Sequence, residues 1–197
     1  MAGGMSDDET LGRRAFFTRG FGRALERAAE AFTARVAPER FQRPPGALPE
    51  VAFVAACTRC GACATACPVQ AITLLPGGHG LASGTPVLDV ALTACVMCPD
   101  MPCATACPTG ALTVPESGWR EIRLARLEVD AGRCIAHRDV ACGVCARACP
   151  VGDAAITIDA RGRPQLQPGC TGCGQCISAC VTSPSSLAAS PPSRSDA

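Results

Sequence analysis

Residues 57–68 read CTRCGACATACP, four cysteines separated by two, two and three residues and closed by a proline. Variants of this phrase recur over residues 95–108, 134–150 and 170–180, and together they hold all sixteen cysteines of a 197-residue chain. The first cysteines of the units, Cys57, Cys95, Cys134 and Cys170, stand 38, 39 and 36 residues apart, the near-fixed period of a repeated structural unit. Unit one comprises Cys57, Cys60, Cys63 and Cys67, followed by Pro68. Unit two widens the second gap, with Cys95, Cys98, Cys103, Cys107 and then Pro108. Unit three widens the first gap, with Cys134, Cys142, Cys145, Cys149 and then Pro150. Unit four returns to the regular spacing at Cys170, Cys173, Cys176 and Cys180, but Val181 stands where the proline should be.

Composition says the cysteines do more than fill a core. Only six Phe, one Trp and no Tyr are present, so the usual large contributors to burial are scarce. A disulfide framework belongs to an oxidising compartment, and the opening MAGGMSDDETLGRR has no apolar segment behind its arginines. Zinc sites pair two C-x2-C units across a spacer, whereas here three or four cysteines are packed into one run. The spacing C-x2-C-x2-C-x3-C-P is instead that of bacterial iron–sulfur proteins. Three thiolates two residues apart wrap one face of a [4Fe–4S] cubane. The fourth, expected to start a short helix pointing away, caps a second cluster held mainly by another unit. All sixteen cysteines are therefore candidate iron ligands for four [4Fe–4S] clusters. The formal charge of +1 is a poor guide to partners, because four oxidised clusters would take it to about −7. No apolar run reaches the 18 to 20 residues or so that cross a bilayer.

The expected fold class is α+β: two bacterial-ferredoxin-like 2[4Fe–4S] modules of small hairpins and short helices, preceded by an N-terminal amphipathic helix. AITLL and VLDV flank the turn-rich PGGHGLASGTP after unit one, and AITID and PQLQP flank ARGR after unit three, each a hairpin between two cysteine loops. ALTV reads as a strand closing the first module. REIRLARLEVD, alternating Ile122, Leu124, Leu127 and Val129 with charges, reads as one opening the second. The expected divisions are residues 1–50 for the helix and a Pro-rich linker, 51–118 and 119–188 for the two modules, and 189–197 for a disordered tail. Spacing leaves open whether units pair sequentially, one with two and three with four, or nested, one with four and two with three.

The cysteine-free N-terminus places Phe17, Phe21, Leu25, Ala28 and Phe32 at helical intervals over residues 11–36. That stripe either packs on the cysteine-rich body or docks a redox partner. GRRAFF has the look of a twin-arginine export core, but Arg23, Glu26, Arg27, Glu30 and Arg35 occupy the place of the apolar segment, so a cytoplasmic location is expected. Arg59, Arg133 and Arg147 lie beside ligands and are read first as solvated charges, with tuning of potentials as the alternative. His79 and His137 are surplus to sixteen thiolates. Trp119 is read as a packing anchor. Gly61, Ala62, Gly172 and Gly174 leave room for backbone N–H groups to face a cluster, and the glycines also suit positive φ. No Ser/His/Asp grouping, phosphate loop or nucleotide fingerprint is present, so no catalytic site is expected.

The chain resembles the ferredoxin-type proteins of the NapF, NapG and MauM kind, of periplasmic nitrate reductase and methylamine dehydrogenase systems. The likeness runs over residues 42–188: RPPGAL (Arg43 to Leu48), FVAACTRCGACATACP, ASGTP (Ala82 to Pro86), CVMCPDMPCATACPTGAL and CTGCGQCISACV. The wide second gap of unit two, the long first gap of unit three and the proline-less unit four carry it. The resemblance implies four [4Fe–4S] clusters on the sixteen cysteines and transfer of electrons between a membrane quinol-oxidising partner and a reductase or dehydrogenase. The other function it implies is maturation or assembly of a molybdoenzyme, with structural or redox-sensing clusters.

Overall fold

The computed structural model describes residues 41–192. The amphipathic helix expected over 11–36 lies outside them.

The chain enters as an extended segment that belongs to the first module and is no linker. The Gln42 carbonyl accepts from Leu88 N–H at 2.8 Å, and the Gln42 side-chain oxygen accepts from Val90 N–H at 3.1 Å. Ala47 then bridges Leu112 in antiparallel fashion. Helix α1, Glu50–Ala56, starts behind Pro49 with an acidic residue in its first turn and buries Phe53 completely. Helix α2, Ala62–Ala66, is followed by the hairpin of β1, Ile72–Leu74, and β2, Pro86–Leu88, which pairs Ile72 with Leu88. Helix α3, Pro102–Thr105, packs on α2. The expected closing strand ALTV is reduced to the single bridge at Leu112.

The second module repeats the plan. Strand β3, Arg126–Val129, is followed by helix α4, Val144–Arg147, and by the hairpin of β4, Ile156–Ile158, with β5, Pro164–Leu166. Helix α5, Gln175–Ser178, packs on α4, and β6, Leu187–Ser190, returns antiparallel to β3 with Val129 opposite Leu187 and Arg126 opposite Ser190. Ala189 and Ser190, assigned by sequence to the tail, are thus paired strand residues. The opening strand is shorter than REIRLARLEVD suggests, because residues 118–120 form a 3-10 turn. Ile122 and Leu124, ahead of β3, are buried all the same. Both modules share one apolar cluster that includes Phe53, Val90, Met101, Leu124 and Ile156.

Candidate metal centres

The four cysteine units are built alike. In each, the third cysteine is the second residue of a one-turn helix, and the fourth follows where that helix ends. The fourth cysteine therefore closes the helix, whereas the spacing suggested that it starts one. The residue just before each helix is left-handed: Gly61 (φ 75°), Met101 (φ 43°), Gly143 (φ 76°) and Gly174 (φ 84°). Left-handed backbone also precedes the second cysteine of units one, two and four, at Arg59, Met97 and Gly172. Such reversals turn successive N–H groups to one side, the concave arrangement that receives anions.

Four pockets result, each lined by four cysteines. Site I has Cys57, Cys60 and Cys63 from unit one with Cys107 from unit two. Site II has Cys95, Cys98 and Cys103 with Cys67 from unit one. Site III has Cys134, Cys142 and Cys145 with Cys180 from unit four. Site IV has Cys170, Cys173 and Cys176 with Cys149 from unit three. Units thus pair sequentially, each lending its fourth thiol to the other.

The sites suit an iron–sulfur cube better than a lone ion. All sixteen cysteines are free thiols. Among the described residues no three His, Cys, Asp or Glu side chains converge closely enough to hold a single metal ion. The thiols instead ring a larger space, as ligands spread over several irons would. Their crowding has an electrostatic signature. Burial, joined by neighbouring Cys95 and Cys67, pushes the Cys103 thiol up to about 12. Burial, with Cys173, Cys170 and Cys149 adding to it, takes Cys176 to about 12. Cys95 rises to about 11, chiefly through burial. Four thiolates in one such pocket repel one another and are poorly solvated, and a bound cationic metal is what offsets both.

Donors reach the sulfur of the lent cysteine in three of the four units. Ala71 N–H lies 3.3 Å from Cys67 Sγ, Leu112 N–H 3.4 Å from Cys107 Sγ, and Ser186 N–H 3.5 Å from Cys180 Sγ. At Cys180 burial opposes ionisation, but the hydroxyls and N–H groups of Ser186 and Thr182 outweigh it and bring the thiol down to about 6.

The other residues singled out by sequence sort clearly. Arg59 is exposed, as expected of a surface charge, and it also donates to the carbonyls of Ser83 (2.9 Å), Leu81 (2.7 Å) and Cys57 (3.2 Å), holding the 81–83 turn on the site I loop. Arg147 donates to the Cys142 carbonyl at 3.0 Å, and Arg133 pairs with Asp130 at the surface. Trp119 lines site II and donates Nε1–H to the Cys98 carbonyl at 3.0 Å. His79 stacks edge-on against Phe41, and neither it nor His137 lines any of the four sites. Sequence reasoning missed Arg43, which is buried under site I's support. It forks onto Glu50 (Nε to Oε2, 2.9 Å), donates to Thr85 Oγ1 and the Pro86 carbonyl at 2.8 Å, and lies 4.7 Å over the Phe53 ring. RPPGAL gave no cue to this network, because Thr85 and Pro86, which draw Arg43 inward, lie 42 and 43 residues away.

Comparison with known proteins defines the class first. A 4Fe-4S dicluster domain family matches residues 56–111, and a 4Fe-4S binding domain family matches residues 131–152 and 167–182. The methylamine utilization ferredoxin-type protein MauM of Methylorubrum extorquens is 37% identical over 194 residues, covering 90% of this chain and 88% of the relative. Ferredoxin-type protein NapG of Escherichia coli is 38% identical over 161 residues, 76% and 69% of the two chains. MauM of Paracoccus denitrificans is 37% identical over 164 residues, 78% and 73%. The chain belongs to this family of NapG and MauM ferredoxin-type proteins, and it carries 4Fe–4S domains. No solved structure matches it. No helix among the described residues is long and apolar enough to cross a membrane.

Proposed function

We propose that the chain is an electron carrier holding four [4Fe–4S] clusters, one in each of sites I to IV, with the sixteen cysteines as iron ligands and no catalytic site of its own. The observation that carries this reading is the exchange of fourth cysteines, which leaves every cavity with four thiols and no cysteine unused. A bound cluster supplies reversible storage of one electron. The chain's residues do the rest. The small helices hold the thiols at the pocket walls, the left-handed turns aim N–H groups inward, and partial burial limits water at most of the sulfurs. The family likeness supports electron transfer between a quinol-oxidising donor and a reductase or dehydrogenase as the setting. A cytoplasmic location belongs to the same proposal, supported by the charges at Arg23, Glu26 and Arg27, and cell fractionation tests it.

The test is iron and acid-labile sulfide per chain in anaerobically prepared protein, with low-temperature EPR after reduction. About sixteen of each are expected. Colourless or zinc-loaded protein would refute the proposal.

A further inference from the structure

Among the described residues, three hydrogen bonds run between the loops of units two and four. Cys95 N–H donates to the Cys173 carbonyl at 2.8 Å. Gln175 Nε2–H donates back to the Cys95 carbonyl at 3.3 Å, and Thr171 Oγ1–H points at Met97 Sδ at 3.4 Å. The approach is close enough to demand glycine: Gly174 has φ +84°, and a Cβ there would overlap the Val90 carbonyl oxygen across the junction.

Cys95 belongs to site II and Cys173 to site IV. One backbone hydrogen bond thus connects two ligand residues of different modules, and no longer protein path is needed between those sites. Inside the first module, Cys67 leaves the site I loop to complete site II. Inside the second, Cys149 leaves the site III loop to complete site IV. These links give a single linear order, I–II–IV–III, which differs from the order of the units in the chain.

We infer that the Cys95–Cys173 contact is the junction through which the modules exchange electrons, so that the four sites stand in series and sites I and III are its two ends. The inference rests on the four-cluster reading above. Each transfer across the junction oxidises the occupant of one site by one electron and reduces its neighbour by one, with no bond made or broken. A one-electron donor protein and a one-electron acceptor protein engage the ends. Both ends meet the surface: Cys60 is the one exposed cysteine of the sixteen, and the exposed Val181 lines site III.

The experiment uses the full chain, loaded anaerobically and reduced with dithionite. Iron content comes first. About sixteen irons in the unchanged protein uphold the four-cluster reading, and a clear deficit overturns that reading and the series with it. Two double variants then test the order. Cys60→Ser with Cys142→Ser removes the ends, and about eight irons should remain as a pair of neighbours whose EPR signals are split by mutual coupling. Cys98→Ser with Cys170→Ser removes the inner pair, and the remaining signals should be sharp and uncoupled. The reverse pattern, in protein that holds its iron, refutes the order while leaving the cluster count intact. Should the variants fail to load, a crystal structure of the unchanged holoprotein decides: the shortest distance between clusters of different modules must run between sites II and IV, and any other pair overturns the proposal.

Discussion

Ser186 Oγ lies 3.3 Å from Cys180 Sγ, and the N–H of the same serine points at that sulfur from 3.5 Å. Thr182 Oγ1 adds a second hydroxyl at 3.2 Å. Cys180 completes site III; Cys107, which completes site I, has only the Thr109 hydroxyl, at 3.7 Å. Hydrogen bonds donated to ligand sulfur favour the more negative, reduced state of a cluster. Ser186→Ala should therefore lower the midpoint potential of one cluster and leave the other three where they were. EPR-monitored redox titration reads this directly. Four unmoved potentials would show that the hydroxyl has no part in tuning.

Arg43 is a structural ion with no solvent to fall back on. Truncation in Arg43→Ala leaves the Glu50 carboxylate and Thr85 without their partner and opens the space over Phe53. Breaking a buried pair in this way costs about 3 to 5 kcal/mol. Lysine should recover only part of it, since an ammonium cannot fork onto a carboxylate or lie flat on a ring. Denaturant titration of the holoprotein gives the ranking wild type, Arg43→Lys, Arg43→Ala. Equal stability of all three would rule out the buried network as a determinant.

Two glycines with nearly the same backbone separate conformational cost from crowding. Gly61 (φ +75°) has nothing near the position of a Cβ, whereas at Gly172 (φ +70°) a Cβ would overlap the Ala125 carbonyl oxygen. Gly61→Ala should cost about 1 to 2 kcal/mol, the ordinary penalty of left-handed backbone. Gly172→Ala should cost clearly more and release iron from site IV. Thermal melts with iron counts on both variants make the comparison, and equal losses would mean that φ alone explains these glycines.

Removing iron tests what holds the fold together. The secondary elements are three to seven residues long, and thiols raised by burial crowd the cavities. Cluster binding is then coupled to folding. Chelation or oxidative loss of iron should abolish the circular dichroism of the cysteine-rich region and expose it to protease. Native dichroism in iron-free protein would contradict this.

The gathering of three cysteines of each unit in one pocket was legible because the spacing of thiols along a tight loop is local geometry, and the hairpins were legible because their strands sit next to each other in the chain. What escaped sequence reading is non-local. Pairing of the units rests on contacts such as Leu48 N–H to the Ala111 carbonyl and the β3–β6 register, which join residues some sixty positions apart. Strand β6 reads LAAS, with little preference for extended backbone, and it forms because Arg126–Val129 offers an open edge. Arg43 was invisible for the same reason, its partner Thr85 being 42 residues away. Met101 shows a further limit: it takes the left-handed position that glycine fills in the other three units, and it is buried there, so packing has overridden backbone preference.

The lending of fourth cysteines also sets a timetable for biosynthesis. A growing polypeptide has no complete thiol quartet until Cys103 has emerged, and a second follows four residues later with Cys107. Nothing more can be filled until Cys176 and Cys180 arrive, again almost together. On the four-cluster reading, filling is thereby confined to two steps, one midway along the chain and one near its end, and a nascent chain interrupted before the second holds two complete quartets and two incomplete ones.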